Sequence, residues 1–219
     1  MPLILPGNVA SATADAGYSV ANSCRFEDGD SPMMQLTPGS SATSSRKMTI
    51  SFWCKRGNLG MDSRIFSALG SSSSVRDTIY FTSEDKLYLF LDNGGPGNLR
   101  TNRLFRDVGA WYHIVIAIDT TQSTDTNRVK FYVNGIQETS FDTGGDGIIW
   151  PDQNYDIVGY GQNGQENTIG ADTDGGGNDN EWDGYLAEFV FIDGLALAPT
   201  SFGEFDEDSG IWKPIDVSG

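Results

Sequence analysis

The sequence predicts an all-β protein, a large antiparallel sandwich. Apolar residues recur with period two in short runs, as in Leu87-Tyr88-Leu89-Phe90-Leu91. Gly, Asn, Asp, Ser and Thr residues punctuate those runs at strand-like spacing. No stretch carries the sustained 3.6-residue apolar period of a long helix. A length of 219 residues suits one such sandwich.

Residues 1–22 read as an extended arm, and residues 23–219 as the folded domain. The arm is rich in Ala, Ser and Gly, and Pro2, Pro6 and Gly7 discourage a helix. It buries too little to order alone, so a neighbouring copy or another protein is its expected holder, the alternative being that it folds back along its own sandwich edge. Cys24–Phe26 opens the domain as a short strand, and residues 36–47 form a Ser/Thr/Pro/Gly loop. Met48, Ile50, Phe52 and Cys54 then share one face of a strand. Arg64–Leu69 and Asp77–Thr82 form the next pair. Leu87, Leu89 and Leu91 face one way, with Tyr88 and Phe90 opposite. Trp111–Asp119 is the strongest strand, and its Tyr112, Ile114, Ile116 and Ile118 face the core. Val129, Phe131 and Val133 lead to Asn134-Gly135, a hairpin signal into Ile136–Glu138.

Residues 142–182 break this rhythm with many Gly, Asn and Asp residues. Short strands are expected at Tyr155–Val158 and Thr168–Ile169, and the rest is a long loop system of the kind that tends to carry function. In the final strand Tyr185, Ala187, Phe189 and Phe191 alternate with Leu186, Glu188, Val190 and Ile192. Both faces are apolar, so this strand is expected to lie between two packed layers. Turns at Asp183-Gly184 and Asp193-Gly194 close it, and Leu195–Thr200 is a single docking turn. Ile114, Ile116 and Phe189 are expected to be buried between the sheets.

The formal net charge of −16 excludes ordinary nucleic-acid binding, which needs a basic surface. Membrane insertion is excluded too, because no apolar run approaches spanning length. Met1–Pro6 lacks a basic segment ahead of its apolar residues, so ordinary export is not expected. Cys24 and Cys54 each hold an alternating apolar position. Two readings stay open for them: buried thiols, or a disulfide if their strands pair. His113 is the single histidine. It reads as a strand residue hydrogen-bonded to a neighbour, since no nucleophile motif accompanies it. One His and two separated Cys also lack zinc-ligand spacing.

Two loop regions carry candidate sites. Trp150, Tyr155 and Tyr160 are a candidate glycan platform, with Asn163 bonding hydroxyls; the alternative is that these aromatics plug the sandwich end or a seam between subunits. Asp172–Glu181 has the composition of a calcium loop, with Asp172, Asp174 and Asp179 as ligands. The alternative there is a solvated acidic turn. No cofactor is expected to be required, and calcium is the one candidate.

Four segments, in order, resemble one family. They are Ser51-Phe52-Trp53-Cys54-Lys55-Arg56, Ala110-Trp111-Tyr112-His113-Ile114-Val115, Lys130-Phe131-Tyr132-Val133-Asn134-Gly135 and Asp183-Gly184-Tyr185-Leu186-Ala187-Glu188. Together they resemble laminin-G-like jelly rolls of the concanavalin A-like lectin and glucanase superfamily. Gly210-Ile211-Trp212-Lys213-Pro214 is similar to the segment after the domain in versions from tailed-phage virions. The resemblance implies a two-sheet antiparallel jelly roll. It implies a non-catalytic virion protein, either capsid decoration or a head- or tail-fibre component. Its partners would be other virion proteins, copies of itself and a host-surface glycan. Such a protein would assemble in the host cytoplasm and leave by lysis. Some relatives hold calcium at the sandwich rim, and others hydrolyse polysaccharides with carboxylates alternating along one strand. Glu181-Trp182-Asp183 begins that carboxylate pattern, but Tyr185 and Leu186 stand where its last Glu belongs. Glu204-Phe205-Asp206 begins it too, and Asp208 and Ser209 end it. A non-enzyme is therefore expected. The runner-up is a free-standing lectin, and a glycan depolymerase is third.

Overall fold

A computed structural model describes residues 18–70, 76–91, 97–145, 147–173 and 178–217. Most of the predicted arm, residues 1–17, lies outside them.

The strands in chain order are β1 (Cys24–Phe26), β2 (Met34–Leu36), β3 (Lys47–Arg56), β4 (Ser63–Leu69) and β5 (Arg76–Phe81). Then come β6 (Lys86–Leu91), β7 (Asn98–Leu104), β8 (Tyr112–Asp119), β9 (Val129–Val133) and β10 (Ile136–Glu138). The last are β11 (Asn167–Ile169), β12 (Asp172–Thr173), β13 (Asn178–Asp179), β14 (Gly184–Asp193), β15 (Gly203–Phe205) and β16 (Trp212–Pro214). Two six-stranded sheets face each other, ordered β1-β14-β3-β8-β9-β10 and β2-β11-β4-β5-β6-β7. The pairings within them are antiparallel. The late strand β14 inserts between β1 and β3, so the chain folds as a jelly-roll sandwich. Hairpins β12-β13 and β15-β16 sit outside the two sheets.

The core follows strand parity. Met48, Ile50, Phe52 and Cys54 of β3 meet Ile114, Ile116 and Ile118 of β8, all buried. From the other sheet come Ile79, Phe81, Leu87, Leu89, Leu91 and Leu99, equally buried. Each such side chain contributes about 1.5–3 kcal/mol by leaving water. Ile114 and Ile116 lie where the periodicity predicts.

Phe189 does not lie there: it is half-buried. Strand β14 bulges between Ala187 and Val190 in its register with β3, with Glu188 at φ 48°. One extra residue reverses the parity, so Leu186 shares the core side with Phe189 and Phe191 rather than opposing them. Phe189 stacks on Phe52 at 5.8 Å and meets Phe66 edge-on at 5.1 Å, near the open end of the sandwich.

The predicted strand at Tyr155–Val158 is not a strand. Its backbone makes single bonds instead, from Ile157 N to Ser45 O and from Thr120 Oγ1 to Tyr155 O. Periodicity missed β2, the polar strand β7, the β12-β13 pair and the β15-β16 hairpin. Cys24 is exposed and Cys54 buried, and both thiols are free. Leu186 stands between them in register, opposite Cys24 on one side and Cys54 on the other. The two cysteines thus sit on non-adjacent strands and cannot bond, which removes the disulfide reading.

Candidate functional site

The outer face of the first sheet is covered in part by the chain's own C-terminal segment, which leaves a cleft of about 360 Å³ beside Trp53, Trp111 and Trp212. Thr49 Oγ1 donates to Leu195 O at 2.7 Å and accepts from Leu197 N at 2.8 Å. Phe202 and Trp212 then bury themselves over the sheet. Gly135, at φ +79°, lies directly against the Trp212 ring, where a Cβ would overlap it. His113 is sandwiched between Trp53 and Trp212 and is buried. Trp212 Nε1 donates to His113 Nδ1 at 2.8 Å, and His113 Nε2 lies 2.9 Å from Ser51 Oγ. An indole N–H can only donate, so Nδ1 is the acceptor and Nε2 carries the proton. His113 therefore donates to Ser51. A general base would have to accept the serine proton, and a carboxylate would have to stand at Nδ1. Burial pushes the imidazole pKa down to about 4, which keeps it neutral.

The outer face of the second sheet is open. Register aligns Arg64, Tyr80, Tyr88 and Arg100 in one row across β4, β5, β6 and β7. The next row is Ser67, Thr78, Phe90 and Asn98. Cross-strand neighbours lie about 5 Å apart, so these side chains form one surface. A cleft of about 390 Å³ runs over it, lined by Arg64, Arg76, Thr78, Tyr80, Tyr88, Phe90 and Arg100 and walled by Gly144, Gly145 and Gly147. The Arg64 guanidinium lies 3.7 Å from the Tyr80 ring centroid, a cation–π contact. Tyr80 and Tyr88 follow at 5.0 Å, then Tyr88 and Phe90 at 5.9 Å.

Several polar groups around the cleft are held by partners. Tyr88 Oη donates to Asn98 Oδ1 at 2.8 Å. Arg100 Nη2 donates to Gly144 O at 3.1 Å and pairs with Asp142 at 2.9 Å. Asp142 also takes Lys86 at 2.6 Å. The Lys86 bond, then the Gly144 N–H and the Arg100 charge, hold the Asp142 carboxyl at a pKa of about 2. Asp172 Oδ2 sits between Arg76 at 2.8 Å and Arg64 at 3.4 Å. Burial raises the Tyr80 phenol above its usual range, so it remains a neutral donor.

None of the loop aromatics lines this cleft. Tyr160 is fully buried, stacked on Phe66 at 4.7 Å with its hydroxyl donating to Phe66 O at 3.2 Å. It has no face to offer a sugar. Trp150 meets Phe141 edge-on at 5.4 Å, and both Trp150 and Tyr155 pack half-buried against the core. Asn163 is exposed. Tyr160 is therefore corrected from platform to packing, and Trp150, Tyr155 and Asn163 lie away from the cleft. Asp172 is likewise corrected: already paired with two arginines, it has little charge left for calcium. Asp174 lies outside the described residues, as does the side chain of Asp179. Among the described residues no three His, Cys, Asp or Glu side chains group as a metal site requires.

Sequence reasoning missed Arg64, Arg76, Tyr80, Tyr88, Phe90 and Arg100 as a group. The available signal was aromatic and Arg residues at the non-core parity of successive strands. Tyr88 and Phe90 were legible as opposite the leucines, but their convergence with three arginines needed the register.

With fold and cleft in place, the comparisons define a class. The family model of the concanavalin A-like lectin/glucanases superfamily matches residues 28–199. The chain belongs to that superfamily, in its laminin-G-like form. Its fold is also similar to solved structures. The heptameric SAP-like pentraxin of Limulus polyphemus has a TM-score of 0.52 at 18% identity, covering 83% of this chain and 76% of that one. Domains LG4-5 of the mouse laminin alpha1 chain give 0.56 at 11%, covering 83% and 44%. A CBM40 of Ruminococcus gnavus IT-sialidase, bound to alpha2,3 sialyllactose, gives 0.51 at 12%, covering 83% and 96%. No curated protein sequence matches. At these identities the structures share a fold, one used for carbohydrate binding.

Proposed function

We propose that this chain is a non-catalytic glycan-binding protein of a tailed-phage particle, serving as capsid decoration or as a head- or tail-fibre component. The observation that carries glycan binding is the open cleft, where Tyr80, Tyr88 and Phe90 offer ring surfaces beside fixed polar groups. Sugar rings lay their C–H faces on such aromatics while hydroxyls bond the flanking side chains. The lectin-like superfamily and the sialyllactose-bound relative support this reading. Placement on a particle rests on the sequence resemblance of the closing strand and of Gly210–Pro214. Other virion proteins and further copies of this chain would then be its partners, reached through residues 1–22. The absence of catalysis is supported by the sealed Ser51–His113 pair, whose protonation is the reverse of a base's.

A glycan array including host-surface polysaccharides tests this reading. Binding without reducing-sugar release is expected, and Tyr88→Ala should abolish the binding. Sugar release by the wild-type chain would instead mark a depolymerase. Antibody labelling of intact particles tests the location. Lack of labelling together with retained glycan binding would favour the free-standing lectin.

A further inference from the structure

We infer that the cleft takes a saccharide bearing a carboxylate, held by Arg64 and Arg76 with its ring against Tyr80 and Tyr88. This rests on the glycan-binding reading and narrows it. The chain as a whole is strongly acidic, at −16. Yet the described lining of its open cleft holds three arginines and no carboxylate. That inversion is local and is built on strands. Arg64 and Arg76 are brought together by adjacent strands β4 and β5, and Arg100 closes the other side from β7.

The site already accommodates a carboxylate. Asp172 Oδ2 lies between Arg64 and Arg76, on a side chain only 3% exposed. Among the described residues, two guanidinium groups share that one carboxylate. Paired guanidinium groups beside low-dielectric aromatic walls attract a further anion. Unmet hydrogen bonding points the same way. Thr78 is 1% exposed and lines the cleft, and its Oγ1 has no partner among the described residues. Arg64 Nη1 is buried and also has none. A guanidinium N–H needs an acceptor, and an ionised carboxylate is acceptor-only with two oxygens to share. A ligand carboxylate entering beside Asp172 would meet Arg64 Nη1 and the Arg76 fork, and a neighbouring hydroxyl would reach Thr78. Neutral sugars could satisfy Thr78 but would offer the arginines no anionic acceptor.

The test uses the full chain and isothermal titration against uronate- and sialate-bearing oligosaccharides, each beside its own methyl ester, with neutral oligosaccharides and dextran sulfate for comparison. At least one acid should bind roughly tenfold or more tighter than its ester, and added salt should weaken it. Arg76→Gln should weaken binding of that acid roughly tenfold. Asp172→Asn should strengthen it several-fold by removing a competing carboxylate, whereas a merely structural Asp172 would give no gain. Far-UV spectra and melting curves of both variants check that the fold is retained. Equal binding of acids and esters, or no gain in Asp172→Asn, would overturn the acidic-ligand inference and leave glycan binding standing. A preference for dextran sulfate would overturn it in favour of sulfate esters. No binding to any saccharide, neutral ones included, would remove both readings.

Discussion

The two sheets have similar inner faces and opposite outer ones. The outer face of the first sheet is roofed in part by residues 195–217, which bury His113, Ser51 and Trp212 beside the half-buried Trp53. The outer face of the second carries a row of aromatic and cationic side chains, and nothing described covers them completely. The difference shows how to separate packing from function in this fold. Polar groups under the roof have complementary partners, so they serve stability. Those in the cleft include buried atoms without partners, Thr78 Oγ1 and Arg64 Nη1.

The contrast breaks first at Trp212. Trp212→Ala should cost about 3–5 kcal/mol, since it removes a large buried ring and strands His113 Nδ1 without its donor. Denaturant unfolding measures this, and a loss below about 1 kcal/mol would mean that the roof is not part of the fold.

The next effect is pH dependence. The His113 pKa falls from 6.5 to about 4 on folding, so between those values the unfolded chain binds a proton that the folded chain does not. Stability from this group is complete above pH 6.5, falls as pH drops, and is fully lost near pH 4. The total is about 3 kcal/mol. The groups facing the imidazole are Ser51, Trp53 and Trp212, with Glu188 near the same small void. Comparing unfolding of His113→Gln with the parent across pH 4–7 isolates the term. Parallel curves would show that His113 titrates normally and that the roof admits water.

The smallest effect sharpens the comparison from the other side. Arg76 is one-third exposed beside Asp172, so Arg76→Gln should change stability by less than about 1 kcal/mol while weakening ligand binding. A stability loss of several kcal/mol would make the second face structural as well.

Much of this arrangement was legible in strand periodicity. The inward sets Met48-Ile50-Phe52-Cys54, Ile114-Ile116-Ile118 and Leu87-Leu89-Leu91 follow from a side-chain period of two, and all are buried. The Asn134-Gly135 hairpin was readable because its backbone demands a positive φ at both positions, and both have one, 49° and 79°. The polar strand β7 was not readable: Asn98–Leu104 alternates polar residues outward and pairs on one side, with β6, within its sheet. The bulge at Glu188 was not readable either, since nothing local distinguishes a strand that keeps its parity from one that shifts it.

The sequence by itself determined the all-β class, the order of the main strands and which side of each most often faces inward. Those features depend on neighbours one and two residues away. Only the tertiary structure decided which outer face was covered, that Tyr160 belongs to the core, and that Arg64, Arg76, Tyr80, Tyr88 and Arg100 converge. These depend on register between strands far apart in the chain and on where residues 195–217 lie. A period of two gives every strand two faces, but it cannot say what, if anything, packs on the second.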